Sequence, residues 1–349
     1  MKKLTKTAIF TDIHWGKKSN SELHNQDCTR YVDWFCEQVR SDPTIDHVAF
    51  LGDWNENRSA LNISTLNYAY RGAKKINELG LPVYFVVGNH DLYHRNTREI
   101  HSIVPFNEFS NFKIIDQVII EPNIGDGVLF APYLFHEEYP DLMKHITLPH
   151  WMGHFEFKGF EVTGYGMKMP TGPDPLDFKG PDIWSGHFHK RQNEDNIHYV
   201  GNCFPMDFGD AGDHKRGMAV IDHISNSVKF IDWPDCPRYT KAKLSTLLDE
   251  KIILHPNARV KCLVDIPITF EESNQLRQTF TDASQLREFV MEETPEIKEA
   301  LVSTEVTADT DKYDISKIGS VNELVVQMLG DIESDHINNQ KLIDIYRSL

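Results

Sequence analysis

The chain has 349 residues, a net charge of −16 and a charged fraction of 25%, a length that suggests about two domains. At 40% hydrophobic and 11% aromatic it can bury a sizeable core. Its acidity excludes binding of nucleic acid through bulk charge, so any polyanion must be met by local basic patches and bound cations.

Residues 7–11 read as a strand. Residues 27–40 carry Tyr31, Trp34, Phe35 and Val39 at helical spacing. Residues 47–51 form the next strand and 61–79 the next helix, stopped by Gly80 and Pro82, and 83–87 read as a third, buried strand. That alternation is the signature of an α/β sheet. From Gly127 onward short strand candidates follow one another, at 128–131, 160–163, 183–184, 197–200, 218–221 and 227–231. Turn residues separate them, which predicts a second sheet packed on the first. The run Trp233-Pro234-Asp235-Cys236-Pro237 marks a boundary. Beyond it come a strand pattern at 260–266, helix-like stretches around 284–291 and 296–301, and an acidic linker at 304–314. Two amphipathic segments, 321–328 and 341–349, close the chain. The expected domains are therefore 1–233, 234–303 and 304–349. No apolar run approaches the roughly 18 residues of a membrane helix, and no signal-peptide core follows Met1-Lys2-Lys3-Leu4. A cytoplasmic protein without membrane contact is expected, in the host cytoplasm if a phage encodes it. The five cysteines form no C-x-x-C pair, so they read as reduced and packed.

The strand ends carry the chemistry. They read Asp12-Ile13-His14, Gly52-Asp53, Gly88-Asn89-His90-Asp91, Gly153-His154 and Gly186-His187-Phe188-His189. Functional groups collect at the carboxyl ends of strands in α/β sheets. Each motif alone is common by chance, and their joint occurrence in this order carries the reading. Imidazole, carboxylate and amide oxygen without thiolate favour manganese, iron, zinc or magnesium. There are donors enough for two ions, and one carboxylate must bridge such a pair, roughly 3.5–4 Å apart. Asp53 is the candidate bridge, because it lies between the two halves of the set.

Together these motifs resemble the complete signature of the calcineurin-like metallophosphoesterases, over residues 7 to 232. The opening Asp12-Ile13-His14-Trp15-Gly16 resembles that of the SbcD-type DNA double-strand-break repair nucleases. Tyr199-Val200-Gly201-Asn202 followed by Arg216-Gly217-Met218-Ala219-Val220 resembles their closing region. Size and the short acidic C-terminal part look most like the phage recombination-nuclease branch. The resemblance implies a two-sheet αββα sandwich with a small α/β capping domain and a C-terminal helical segment. It implies that Asp12, His14, Asp53 and His189 hold one metal, and that Asp53, Asn89, His154 and His187 hold the other. Water activated between the ions would attack phosphorus, His90 would protonate the leaving oxygen, and Asp91 would orient His90. One departure stands out: similar cellular nucleases often carry a histidine three residues after the Gly-Asp aspartate, where this chain has Glu56.

The resemblance further implies a manganese-dependent DNA nuclease subunit with 3′-to-5′ exonuclease activity on duplex ends and endonuclease activity on single strands. Its implied partners are an SMC-like (SbcC-type) ATPase, DNA and a second copy of the chain. The ATPase contact is expected within residues 318–349, and Tyr31 and Trp34, or Tyr68 and Tyr70, could serve dimerisation but equally could be core. Basic residues near the motifs (Arg58, Arg71, Lys74, Lys75, His94, Arg95, Arg98, Lys190, Arg191, His214, Lys215 and Arg216) could meet a phosphate backbone. Tyr93, Tyr133, Phe135, Phe155 and Phe188 could stack on unpaired bases or serve as core. Two rivals remain at this point: a phosphatase or phosphodiesterase acting on a small molecule, and a non-catalytic scaffold bridging an ATPase and DNA.

Overall fold

The computed structural model describes residues 3–162, 166–297, 325–326, 329–330 and 338–348. Its strands are β1 (Lys6–Phe10), β2 (His47–Phe50), β3 (Val83–Val86), β4 (Phe112–Ile115), β5 (Ile119–Glu121), β6 (Val128–Ala131), β7 (His150–Gly153), β8 (Asp182–Ser185), β9 (Gln192–Glu194), β10 (Ile197–Tyr199), β11 (Gly217–Asp222), β12 (Ser227–Asp232), β13 (Tyr239–Lys243), β14 (Arg259–Val264) and β15 (Glu288–Glu293). The first sheet runs β12-β11-β1-β2-β3-β4, the second β5-β6-β7-β8-β10-β9, and a third β13-β14-β15. Strands β1 to β4 pair in parallel, as do β6, β7, β8 and β10. Parallel strands place their carboxyl ends on one side, which is where this chain keeps its motifs.

The central strands are buried on both faces, and successive side chains alternate between the two layers that flank the sheet. Ile9, Ala49, Tyr84 and Val86 from the first sheet meet Val128, Phe130, Met152 and Trp184 from the second. Tyr84 and Phe130 stack across this layer with ring centroids 4.5 Å apart. The opposite face of the first sheet presents Ala8, Phe10, Val48, Phe50 and Phe85 to two helices. The helix Glu22–Ser41 is capped by Ser21, whose side chain accepts from the His24 amide, and buries Cys28, Tyr31, Val32, Phe35 and Val39. The helix Ile63–Asn77 is capped by Asn62 and buries Ala69, Ala73 and Ile76. Each large apolar side chain removed from water contributes on the order of 1.5–3 kcal/mol.

The outer face of the second sheet is covered differently. Leu129, Trp151, Ile183 and Tyr199 pack against Phe155, Phe157, Phe160 and Phe178 from loops, and against the single turn Tyr139–Leu142. The architecture is thus the expected mixed α/β sandwich of two sheets, with aromatic loops in place of long helices on one outer face.

Two expectations along the chain fail. No strand forms around Phe160, where Glu161 and Lys168 make only an isolated bridge. Residues 284–291 do not form a helix: Glu288–Glu293 is a strand whose buried Phe289 alternates with exposed neighbours. The helix lies just before it, at Phe270–Ala283, set by a capping box between Thr269 and Glu272. It buries none of its residues, so no apolar stripe announces it. The stretch 304–314 and most of 296–301 and 321–328 lie outside the described residues, whereas the last segment forms a helix, Asn339–Ser348.

Two compact units emerge, one of residues 1–262 with 269–291, the other of 263–268 with 292–349. All five cysteines are buried. Among the described residues no helix is long and apolar enough to cross a membrane.

Candidate metal centre

The carboxyl ends of β1, β2 and β3 in one sheet and of β7 and β8 in the other bring the predicted residues together. Their backbone is unusual. Asp12, His14, Asp53 and His187 have φ of 52°, 51°, 61° and 87°, a left-handed region that costs a non-glycine residue on the order of 1–3 kcal/mol. Such strain persists only where surrounding contacts enforce it. Close packing shows how tightly the loops are stacked. A Cβ on Gly88 would lie 2.2 Å from both the Asp53 nitrogen and its Oδ1, and one on Gly186 would lie 2.1 Å from Thr11 Oγ1 and 2.8 Å from Asp12 Oδ2.

Asp91 supplies much of the bracing. Its buried carboxylate accepts from the backbone amides of Asp53 (3.1 Å), Trp54 (3.1 Å), Asn55 (3.0 Å) and Gly88 (3.0 Å). This corrects the expected role: none of its hydrogen bonds goes to the His90 ring, whose Nδ1 instead donates to the carbonyl of Glu56 at 2.9 Å. Burial, then the neighbouring Asp53 carboxylate, pushes the Asp91 carboxyl up to about 6 against the pull of those amides. The closing motif is a brace too. The Asn202 amide donates to the His189 carbonyl at 2.9 Å, and buried Arg216 donates to Asn202 Oδ1 at 2.7 Å.

The donor atoms fall into two overlapping sets. In the first, His14 Nε2 lies 3.0 Å from His189 Nε2, 3.8 Å from Asp12 Oδ1 and 3.6 Å from Asp53 Oδ2. In the second, Asn89 Oδ1 lies 2.9 Å from His154 Nε2 and 2.9 Å from His187 Nδ1, and His154 Nε2 is 3.4 Å from Asp53 Oδ2. Asp53 Oδ2 therefore belongs to both sets, while Asp53 Oδ1 accepts from the His90 amide at 2.8 Å. Asp12 accepts from the His187 amide and from Thr11 Oγ1.

The field in this pocket is strongly polarised. At Asp53 burial opposes ionisation, yet the His154 and His90 rings hold the carboxyl well below its usual range. At His154 burial is outweighed by Asp53, which holds the imidazole up to about 9. At His14 burial is outweighed by Asp12, Glu56 and Asp53, which hold it up to about 10. His189 is pushed down to about 3 by burial and then by the His14 cation. The carboxylates of the pocket thus favour protons on His14 and His154 but not on His189.

The residues fit two divalent cations. Oxygen and imidazole donors without thiolate suit hard and borderline ions. Three trios of candidate ligand atoms, Asp12-His14-His189, Asp12-Asp53-His154 and His14-Asp53-His90, each gather within 4.8 Å. His14 Nε2 and His189 Nε2, 3.0 Å apart, share a hydrogen bond and turn both nitrogens towards the same carboxylates. Beside the second set stands Tyr133, its ring centroid 5.6 Å from that of His187 and 6.2 Å from that of His154. Burial, then the Glu156 carboxylate, pushes the Tyr133 phenol up to about 12, with Arg58 pulling the other way.

A two-sheet α/β sandwich with His, Asp and Asn donors gathered from five strand ends defines a metal-dependent hydrolase of phosphate esters. Comparison of the sequence agrees. The calcineurin-like phosphoesterase profile matches residues 5–191, and the chain belongs to that family, whose members use a dinuclear metal site. Exonuclease subunit 1 of Enterobacteria phage T4 is 27% identical over 185 residues, which are 52% of this chain and 54% of that protein. The chain thus spans about half the length of that relative. A dimetal phosphatase from Danio rerio of known structure aligns with a TM-score of 0.34 and 10% identity, covering 63% of this chain and 93% of the other. At that score the likeness carries no argument.

Sequence reading missed two side chains of the site. Glu56 Oε2 approaches His14 Nδ1 to 2.7 Å, and Glu156 Oε2 lies 3.0 Å from His187 Nε2. Glu56 was visible only as a departure from a resemblance, and Glu156 follows Gly153-His154 with no signal of its own. Several of the basic residues near the motifs carry acidic partners, and two of the candidate stacking rings are buried. Lys75 pairs with Asp33, Arg98 with Glu138, Lys190 with Glu161 and Arg191 with Asp232. Phe155 and Phe188 are buried in the core.

Proposed function

We propose that the chain is a DNA nuclease dependent on two divalent cations, manganese first among them, acting as the nuclease subunit of an SMC-like ATPase complex in recombination and break repair. Asp12, His14, Asp53 and His189 would hold one ion; Asp53, Asn89, His154 and His187 would hold the other. The observation that carries this reading is Asp53 Oδ2, shared between two donor sets drawn from five strand ends. Support for a nuclease comes from the likeness to the phage exonuclease subunit, and support for DNA as its substrate from the Asp12-Ile13-His14-Trp15-Gly16 opening.

Bound cations at such a centre lower the pKa of water towards neutrality and offset phosphate charge. The chain's own groups do the rest. His90 has Nδ1 committed to a carbonyl, so that nitrogen carries a hydrogen and Nε2 is left to exchange a proton with the leaving oxygen. Arg58, which makes no ion pair among the described residues and lies near Tyr133, would hold a non-bridging phosphate oxygen. The ATPase contact is assigned to the C-terminal segment, where the helix Asn339–Ser348 carries Leu342, Ile345 and Tyr346 at helical spacing.

The test is cleavage of a 3′-labelled duplex and a single-stranded DNA circle in Mn²⁺, beside a nitrophenyl phosphate ester, with and without an SMC-like ATPase. Wild type should cut DNA, while His90→Ser and Asp53→Asn should not. Hydrolysis of the small ester with no cleavage of DNA, even with the ATPase present, would leave the phosphoesterase fold standing and remove the nuclease.

A further inference from the structure

Two glutamates stand behind the donor sets, one for each. Glu56 Oε2 lies 2.7 Å from His14 Nδ1, while the other nitrogen of that ring, Nε2, faces Asp12, Asp53 and His189. The contact is not in hydrogen-bond alignment, and both His14 Nδ1 and Glu56 Oε2 are buried without any other hydrogen-bond partner. Each is the nearest polar partner of the other, with His90 Nδ1 a further neighbour of Glu56 Oε2 at 3.8 Å. Glu156 Oε2 lies 3.0 Å from His187 Nε2, while His187 Nδ1 faces Asn89 Oδ1 at 2.9 Å. The two rings thus turn opposite nitrogens inward, and in both cases the outer nitrogen meets a carboxylate. His154 is held otherwise, its Nδ1 donating to the Leu51 carbonyl at 2.7 Å.

We propose that Glu56 and Glu156 are positioning residues, each orienting one histidine of a different metal site, so that the two sites are tuned separately. This rests on the ligand assignment given above. An ionised carboxylate only accepts, so it fixes the hydrogen on the outer nitrogen and leaves the inner lone pair free for a cation. It also raises the basicity of the ring and adds negative charge behind it; removing such a partner typically costs 10–100-fold in metal affinity. Each glutamate is itself restrained. Lys17 Nζ is 3.5 Å from Glu56 Oε1, His136 Nε2 is 3.8 Å from Glu156 Oε1, and the Glu156 amide donates to the Tyr139 hydroxyl at 2.8 Å. Glu56 does a second task through its backbone, since its carbonyl holds His90. A carboxylate where similar nucleases carry a histidine thus joins one ligand and the candidate acid on a single residue.

The test is calorimetric titration of the full chain with Mn²⁺, with thermal unfolding of each metal-free variant as the check on folding. Wild type should bind two ions. Glu56→Gln should weaken one of them roughly 10–100-fold and Glu156→Gln the other, and the double variant should weaken both. In a His14→Ala background Glu56→Gln should cause no further loss, because it acts through that ring. Should a glutamine variant fail to fold, Glu56→Asp or Glu156→Asp gives the same reading through a shortened carboxylate. Two ions bound with wild-type affinity in either variant overturn the proposal while the ligand assignment stands. A wild type that binds fewer than two overturns both.

Discussion

His90 shows how much depends on a single ring. Its Nδ1 is tied to the Glu56 carbonyl, its ring meets that of His14 edge-on with centroids 4.8 Å apart, and a third of its side chain is exposed. Those contacts fix the ring beside the donor sets and leave Nε2 for proton exchange. His90→Ser should lower kcat by roughly 10²- to 10⁴-fold, the usual worth of a general acid, with little change in KM. Arg58→Ala should do the reverse. Losing one charge-assisted contact to phosphate, worth about 1.5 kcal/mol, should raise KM about tenfold and leave kcat nearly unchanged. Steady-state kinetics on DNA separates the two outcomes.

At the scale of elements, the centre is a stack of strand-end loops pinned by Asp91. Asp91→Ala would strip four buried amides of their acceptor. At about 1–3 kcal/mol for each buried group left unsatisfied, the expected loss is at least about 4 kcal/mol, read as a lowered urea midpoint. The residues of the two donor sets were legible in the sequence because they follow buried strands directly, and a strand end is a fixed place in a parallel sheet. The bracing was not. Asp91 looked like a partner for its neighbour His90, whereas the chain turns it inward onto backbone amides. Glu156 is two residues from His154 yet serves His187, a pairing made only when β7 and β8 lie side by side. Helix Phe270–Ala283 escaped notice because it buries no residue, and its capping box was the one local sign.

Across the whole molecule the two ends of the sandwich differ in chemistry. At the amino ends of the strands a neutral polar cluster lies between the sheets. His47 and His223 reach Thr7 Oγ1 at 2.5 and 2.6 Å, and His150 packs edge-on against His223 with ring centroids 4.9 Å apart. Burial holds all three histidines below their usual range, His223 down to about 3 with help from His150 and His47. Asp46 faces the cluster through His47, and Asp182 and Asp126 act on His150 without reversing the shift. The unfolded chain therefore binds these protons first, and stability should fall as pH drops below about 6.5, towards about 3 where His223 is charged in the fold as well. His223→Gln should flatten that fall by up to about 1.4 kcal/mol per pH unit, measured by urea unfolding of the metal-free chain between pH 7 and 5. At the carboxyl ends the protein gathers ionised carboxylates instead, where the proposed reaction would take place. The direct test is a crystal grown with Mn²⁺ and measured at the manganese edge. Two anomalous peaks roughly 3.5–4 Å apart, with Asp53 between them, His14 and His189 on one side and Asn89, His154 and His187 on the other, is the predicted result. A single peak, or peaks held by other side chains, would contradict it.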